Sequence, residues 1–465
     1  MSGLETEKIS EIKEKVLISL INITLLFLII NYIITKDYMH PSVVFCFMFF
    51  LCAMQCLFFS KTFQITLHSE SIFVLTIGLS IFALIAMSCK KNKKETCNIK
   101  LQNIEISNKL IILLIILQVL TIISFVHYLN DIFNAYNNYA VINTPFTKKI
   151  QLYDWLIKFN SDAFRNLNVS KPYIYRFGYP LVSTFGYIVL YILINNFIVS
   201  KKISILQIAV LLLMSISIIL TGSRTPLFRI ITFALILYYI LDCRNGNFKQ
   251  GNLKFLLKLI FVIAITVFFM LFVMKLMGRG DTIGKSLANY LFVYVGAEIV
   301  NLDTFLHGND ISFLSGFSIL FGQYTFQPVY TYIGKIFNIP FLYYPTIEII
   351  EKSANGIAIG NVHTTYYPFI YDFGYIGILL IAGIAFYYVY SYQNLISCKK
   401  TTGFDYKLFI FAYLFNDLIM LFFSNRFFET VADPFFMKMC IILCTLYLYP
   451  KFIKFYRGKL WHKQF

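Results

Sequence analysis

Guanidinium groups at Arg224 and Arg229 interrupt an apolar run, "MSISIILTGSRTPLFRIITFALILYYI" (214–240). A charge at the bilayer centre is costly, so either two helices meet at a break there or the arginines have a partner. The residue types favour the break. Gly222 ends one helix, Thr225 caps the next, and Pro226 takes its first helical position. The second helix then points free backbone N–H groups and a positive dipole end outward, beside Arg224. Together with an arginine fork, that is an anion site suited to phosphate. Arg229 sits about 140° around the helix from Arg224. It either faces a cavity or pairs with a carboxylate.

A second constellation lies in "GNVHTTYYPFIYDFGYIGILLIAGIAFYYVY" (360–390). His363 precedes a helix, with Asn361, Thr364 and Thr365 around it and Pro368 at an early helical position. Asp372 falls about one turn inside the membrane edge, where an ionisable residue is a functional candidate. His363 and Asp372 are therefore the candidate general bases. Asn361 and Thr364 are candidates for holding substrate. No HExxH or DxD-type spacing appears, and the nine cysteines form no CxxC pair. Neither a metal nor a cofactor is expected.

These residues need a frame, and the composition supplies one. The chain has 465 residues, 58% of them hydrophobic and 14% charged, against about 25% charged in soluble proteins. Long apolar runs rather than alternating segments indicate an all-α polytopic membrane protein, 1–465 forming a single integral membrane domain. Spans are expected near 16–34, 42–59, 71–88, 109–128, 179–199, 203–220, 225–241, 254–277, 368–392, 406–423 and 434–450. The total is about 11 transmembrane helices, within a range of about 10–12. External segments are expected at 129–178, where "YDWLIKFNSDAF" suits a surface amphipathic helix, and at 278–367. The second is a large loop or cap between helices eight and nine.

The cations sort by type. Of 40 basic residues, 32 are lysines, concentrated in "CKKNKK" (89–94), 201–202, 242–254, 398–407 and the tail. Those segments read as cytoplasmic. Three spans before residue 89 then place the N-terminus outside, against the sign of Lys8, Lys13 and Lys15. A missed or extra helix before residue 90 would repair that parity. Five of the eight arginines run the other way: Arg165, Arg176, Arg224, Arg279 and Arg426 fall in segments mapped as external, Arg229 lies just inside the descending helix, and Arg244 and Arg457 are on the cytoplasmic side. This sorting suggests a phosphate-bearing ligand at the outer leaflet. Arg176, Arg279 and Arg229 join Arg224 as candidates to hold it. The net charge of +17 faces anionic lipid rather than nucleic acid, because no basic block sits in a soluble domain.

In "LTGSRTPLFRI" and "NVHTTYYPFIYDFGYIGILL" the chain resembles the Wzy-type oligosaccharide repeat-unit polymerases of O-antigen and capsule synthesis. The helix count and the large external loop between the two motifs are also similar to that family. The resemblance implies an enzyme of the bacterial cytoplasmic (inner) membrane with an outward-facing site. Such an enzyme moves a growing glycan from undecaprenyl diphosphate to the acceptor sugar of another undecaprenyl-diphosphate-linked oligosaccharide. By motif, Arg224 would bind the leaving diphosphate, and His363 or Asp372 would deprotonate or orient the acceptor hydroxyl. Arg176 and Arg279 match no motif and are nominated on charge and side alone. Beyond the lipid bilayer and this substrate, a chain-length regulator protein is a further partner to be tested. An O-antigen ligase and a flippase or exporter of the same lipid-linked oligosaccharide are the alternatives.

Overall fold

The computed structural model describes residues 3–89, 101–136, 145–246, 255, 257, 258, 261, 287–343, 351–397 and 403–448. In chain order its main helices begin with α1 (Gly3–Thr35), α2 (Pro41–Phe58), α3 (Ser69–Ser88), α4 (Asn108–Tyr136), α5 (Phe146–Phe159) and α6 (Tyr173–Ser200). Then come α7 (Ile205–Leu220), α8 (Thr225–Arg244), α9 (Leu287–Val295), α10 (Ala297–Gly308) and α11 (Gln327–Phe337). A small antiparallel hairpin follows, β1 (Glu351–Lys352) with β2 (Ala358–Gly360). The series closes with α12 (Tyr366–Phe373), joined through a 3₁₀ stretch to α13 (Leu380–Ile396), then α14 (Tyr406–Ile419), α15 (Arg426–Val431) and α16 (Pro434–Leu448).

Among the described residues, seven helices are long and apolar enough to cross a membrane: Lys15–Thr35, α2, α3, α4, α6, α8 and Tyr366–Ile396. The apolar α7 and α16 are shorter. This is the make-up of an all-helical, multi-pass membrane protein, with the hairpin as its departure from helix. The span expected at 254–277 lies almost wholly outside the described residues.

The chain divides into two compact units. Unit 1 comprises 1–94, 285–396 and 414–436; unit 2 comprises 95–284, 397–413 and 437–465.

In unit 1, α1, α2, α3 and α13 form the bundle. Phe45 of α2 stacks on Phe82 of α3 with ring centroids 3.9 Å apart. A Cβ at Gly78 would lie 1.7 Å from the Tyr366 hydroxyl, so only glycine lets α3 meet the start of α12 there. The unit has two distinct ends, because α2 alone spans about 27 Å. At one end the Tyr392 hydroxyl donates to Asp37 Oδ2 at 2.6 Å, and His40 packs edge-on to the Tyr392 ring. Burial lowers the His40 imidazole to about 3, so it stays neutral.

At the other end of α2, the Cys56 thiol donates to the Gly296 carbonyl at 3.2 Å, and Phe63 stacks on Phe292 at 4.4 Å. The Asn355 amide reaches the Thr62 carbonyl at 2.8 Å. Of the long segment expected as a cap, α9, α10 and the hairpin therefore gather around residues 59–68. The helical "SLANYLFVYVGAEIV" is broken at Gly296 into α9 and α10. Three long helices precede Cys89 with none added, so the extra helix invoked to repair the N-terminal parity is absent among the described residues.

In unit 2, α4 packs on α6 and α7. Close approaches occur at Gly178, where a Cβ would lie 2.6 Å from Thr121 Oγ1, and at Gly186 against Met214. The helix α4 has 29 residues, about 43 Å, which overruns a hydrocarbon core of about 30 Å. Residues 129–136, expected as the start of a loop, are thus helical. They stay helical because Leu129, Ile132 and Phe133 are buried. The amphipathic helix foreseen near 153–164 starts earlier, as α5, and breaks at Asn160, whose side chain accepts from the Ala163 N–H at 3.2 Å.

Candidate functional site

The hairpin and the helix after it bring His363 its neighbours. The turn "SANG" closes the hairpin: the Gly356 N–H donates to the Ser353 carbonyl at 2.8 Å, with Gly356 at φ +79°. Glu351 pairs in register with Gly360. That register sets Glu351 Oε1 3.8 Å from His363 Nε2, an ion-pair separation too long for a hydrogen bond. Tyr367, the second residue of α12, stacks on the imidazole with centroids 4.2 Å apart and planes 20° apart. The His363 side chain keeps 10% of its surface open and that of Glu351 21%. A partly open imidazole steadied by a carboxylate and a ring face is equipped to take a proton from a hydroxyl.

Tyrosines extend this surface. Tyr371 follows Tyr367 on the same helix face, and Tyr324 packs against Tyr371 at 4.4 Å. Burial raises the Tyr324 phenol, which stays neutral. A row of half-buried rings beside a proton acceptor suits a sugar, whose C–H faces stack on aromatics while its hydroxyls reach polar groups.

The other predicted residues of this unit have defined places. Thr364 is buried and its hydroxyl accepts the Tyr366 N–H at 3.3 Å, so it starts α12. Asn361 is half-buried in the strand-to-helix link. Asp372 is buried, and its oxygens accept the Tyr324 N–H at 3.1 Å, the Thr325 N–H at 2.6 Å and the Ser318 hydroxyl. The neighbouring backbone repeats the attachment, with the Phe317 N–H on the Tyr371 carbonyl at 2.7 Å. Asp372 thus anchors residues 312–326 to α12. Arg426 pairs with Glu429 at 3.1 Å and lies over the Phe423 ring.

Unit 2 carries Arg176, Arg224 and Arg229. At the turn between α7 and α8, Gly222 has φ +75°, and the Arg224 carbonyl accepts the Leu227 and Phe228 N–H groups at 3.0 and 3.2 Å. Arg224 therefore holds the capping position, and Thr225, expected there, is the first helical residue. Pro226 then stands second in the helix, still within the first turn, where a missing N–H costs no ladder bond. Asp154 of α5 is packed against this turn; a Cβ at Gly222 would lie 3.2 Å from its Oδ1. The turn thus already has an acidic neighbour. The Arg229 guanidinium lies 4.6 Å over the ring of Tyr413, which in turn packs edge-on to Tyr187. That gives Arg229 a cation–π contact. Arg176 is exposed in the first turn of α6, above the Phe177 ring. Arg279 lies outside the described residues.

Sequence reasoning missed Glu351. The Asn-Gly pair at 355–356 was a readable hairpin signal, and a hairpin there places residue 351 beside the approach to His363. No group of three or more His, Cys, Asp or Glu side chains suited to a metal ion occurs among the described residues. Comparison with known protein families, with curated proteins and with solved structures finds no match to this chain.

Proposed function

We propose that this protein is a membrane glycosyltransferase that polymerises undecaprenyl-diphosphate-linked oligosaccharide repeat units at the outer face of a bacterial cytoplasmic membrane. The observation that carries the proposal is His363, partly open, stacked on Tyr367 and facing Glu351. His363 takes the proton of an acceptor sugar hydroxyl as that oxygen bonds to the donor's anomeric carbon. The bond from that carbon to the lipid diphosphate breaks, and the diphosphate leaves with the electron pair. The resemblance assigns recognition of the diphosphate to Arg224, at the α7–α8 turn of unit 2.

Orientation has support within unit 1 alone. Lys36 and the C-terminal ends of α3 and α13, each of which leads in sequence into a lysine-rich stretch, belong to the end marked by Asp37 and Tyr392. By the positive-inside rule that end is cytoplasmic, and the end bearing His363 faces outward. The N-terminal lysines then lie outside, a minority against the rule.

Deleting the gene in its host tests the function. A polymerase defect leaves surface glycan of one repeat unit. A ligase defect leaves full polymer on undecaprenyl diphosphate, and a flippase defect leaves single units on the inner leaflet with none at the surface. Full-length surface polymer in the deletion strain sinks all three.

A further inference from the structure

Helix α10 buries a carboxyl group that the candidate site does not use. Glu298 is 1% exposed, and neither of its oxygens has a hydrogen-bond partner among the described residues. A bare carboxylate held this way costs several kcal/mol, so a counter-group is needed. Other oxygens in unit 1 share the condition: Asn301 Oδ1, Gln55 Oε1 and Thr365 Oγ1 are buried and unpartnered.

Two contacts draw together the segments that carry these groups. Asn301 lies one turn beyond Glu298, on the same face of α10. Its Nδ2 donates to the Val362 carbonyl at 2.8 Å, which draws the segment leading to Thr365 against α10. Gln55 is in the last turn of α2, where a Cβ at Gly296, two residues before Glu298, would lie 3.0 Å from the Gln55 Cβ.

The unpartnered atoms are nearly all acceptors. The Asn301 amide nitrogen is already used, so it offers Glu298 nothing. A proton on Glu298 and the Thr365 hydroxyl would supply two donors among five oxygens and leave the others without one. A compact cation satisfies all of them at once. One carboxylate balances one charge, and amide, hydroxyl and carboxylate oxygens are hard ligands unsuited to a soft transition metal. We propose that Glu298, Asn301, Gln55 and Thr365 form a binding site for a monovalent alkali-metal cation, sodium or potassium, between α2, α10 and the start of α12.

Thermal unfolding of the full chain in nanodiscs tests this, with NaCl or KCl exchanged for choline chloride at constant ionic strength and pH. Saturable stabilisation by sodium or potassium is expected, lost in Glu298→Gln. If that variant does not fold, Asn301→Ala and Gln55→Ala should each raise the half-saturating concentration roughly tenfold, the scale of one lost charge-assisted contact. Equilibrium binding of radioactive sodium provides a second readout, independent of glycan chemistry. Identical unfolding in all three salts overturns the site. So does a saturable response retained in all three variants, or stabilisation that follows pH alone in choline.

Discussion

Thr325 donates its backbone N–H to Asp372 Oδ2 at 2.6 Å, across 47 residues of sequence. With Tyr324 and Ser318 on the same carboxylate, a buried acid is consumed in holding one stretch of chain. An acid so engaged is a poor choice for the proton acceptor of a reaction, and His363 stands better placed.

Asp372→Asn should release residues 312–326. An amide supplies one acceptor oxygen and turns a donor toward N–H groups, at a cost of about 1–3 kcal/mol. Limited proteolysis of the purified variant should cut within 312–326 faster than in the wild type. Unchanged cleavage with lost turnover would return Asp372 to a direct chemical role.

His363→Ala should lower chain elongation by about 10²–10⁴, the usual range for a missing general base. Glu351→Gln should cost less, about tenfold or below, because at 3.8 Å the carboxylate acts through charge rather than a hydrogen bond. Elongation kinetics with extracted lipid-linked repeat units provide the measurement. An effect at Glu351 as large as that at His363 would contradict this order.

Arg224→Ala should leave the protein inserted and reduce elongation on the order of 10²–10³. Arg224→Lys should restore little, since an ammonium cannot fork onto phosphate. A lysine variant of full activity would mean that charge alone suffices.

Arg244, fully buried at the end of α8, pairs with Asp405 at 2.9 Å, and Asp405 also starts α14 through the Lys407 and Leu408 N–H groups. Removing Arg244 should cost about 3–5 kcal/mol by taking the counter-charge from the Asp405 carboxylate. The double change Arg244→Met with Asp405→Asn should cost less than Arg244→Met alone. Thermal unfolding in detergent measures the difference.

His40 should make the folded state acid-sensitive. Its imidazole is lowered to about 3 by burial, so between its ordinary value of 6.5 and that point only the unfolded chain takes up the proton. Its stability contribution is complete above pH 6.5 and falls as pH drops, by about 2 kcal/mol at pH 5. The difference in unfolding temperature between pH 7 and pH 5 should shrink in His40→Gln.

Apolar runs, Gly222, Pro226 and Pro368 were enough to locate most helices, because a helix in lipid must be apolar along its own length whatever it later touches. The break in "TGSRTP" was likewise local, although the cap lies at Arg224, one residue before the expected Thr225. The overrun of α4 was not readable. Residues 129–136 become helical because Leu129, Ile132 and Phe133 find cover, and composition cannot report cover.

The sequence by itself determined a helical chain in a membrane, with lysines and arginines sorted apart and a histidine ahead of a helix. Those properties belong to single segments and follow from the solvent each must meet. Only the tertiary structure decided that Glu351 faces His363, that Asp372 serves the 312–326 segment, that Arg229 lies over Tyr413, and that Glu298 is buried with its oxygens unpartnered among the described residues. Each of these depends on residues distant in the chain coming within a few ångströms. Hydropathy and periodicity record what a segment avoids, whereas a side chain's chemistry depends on what finally lies beside it.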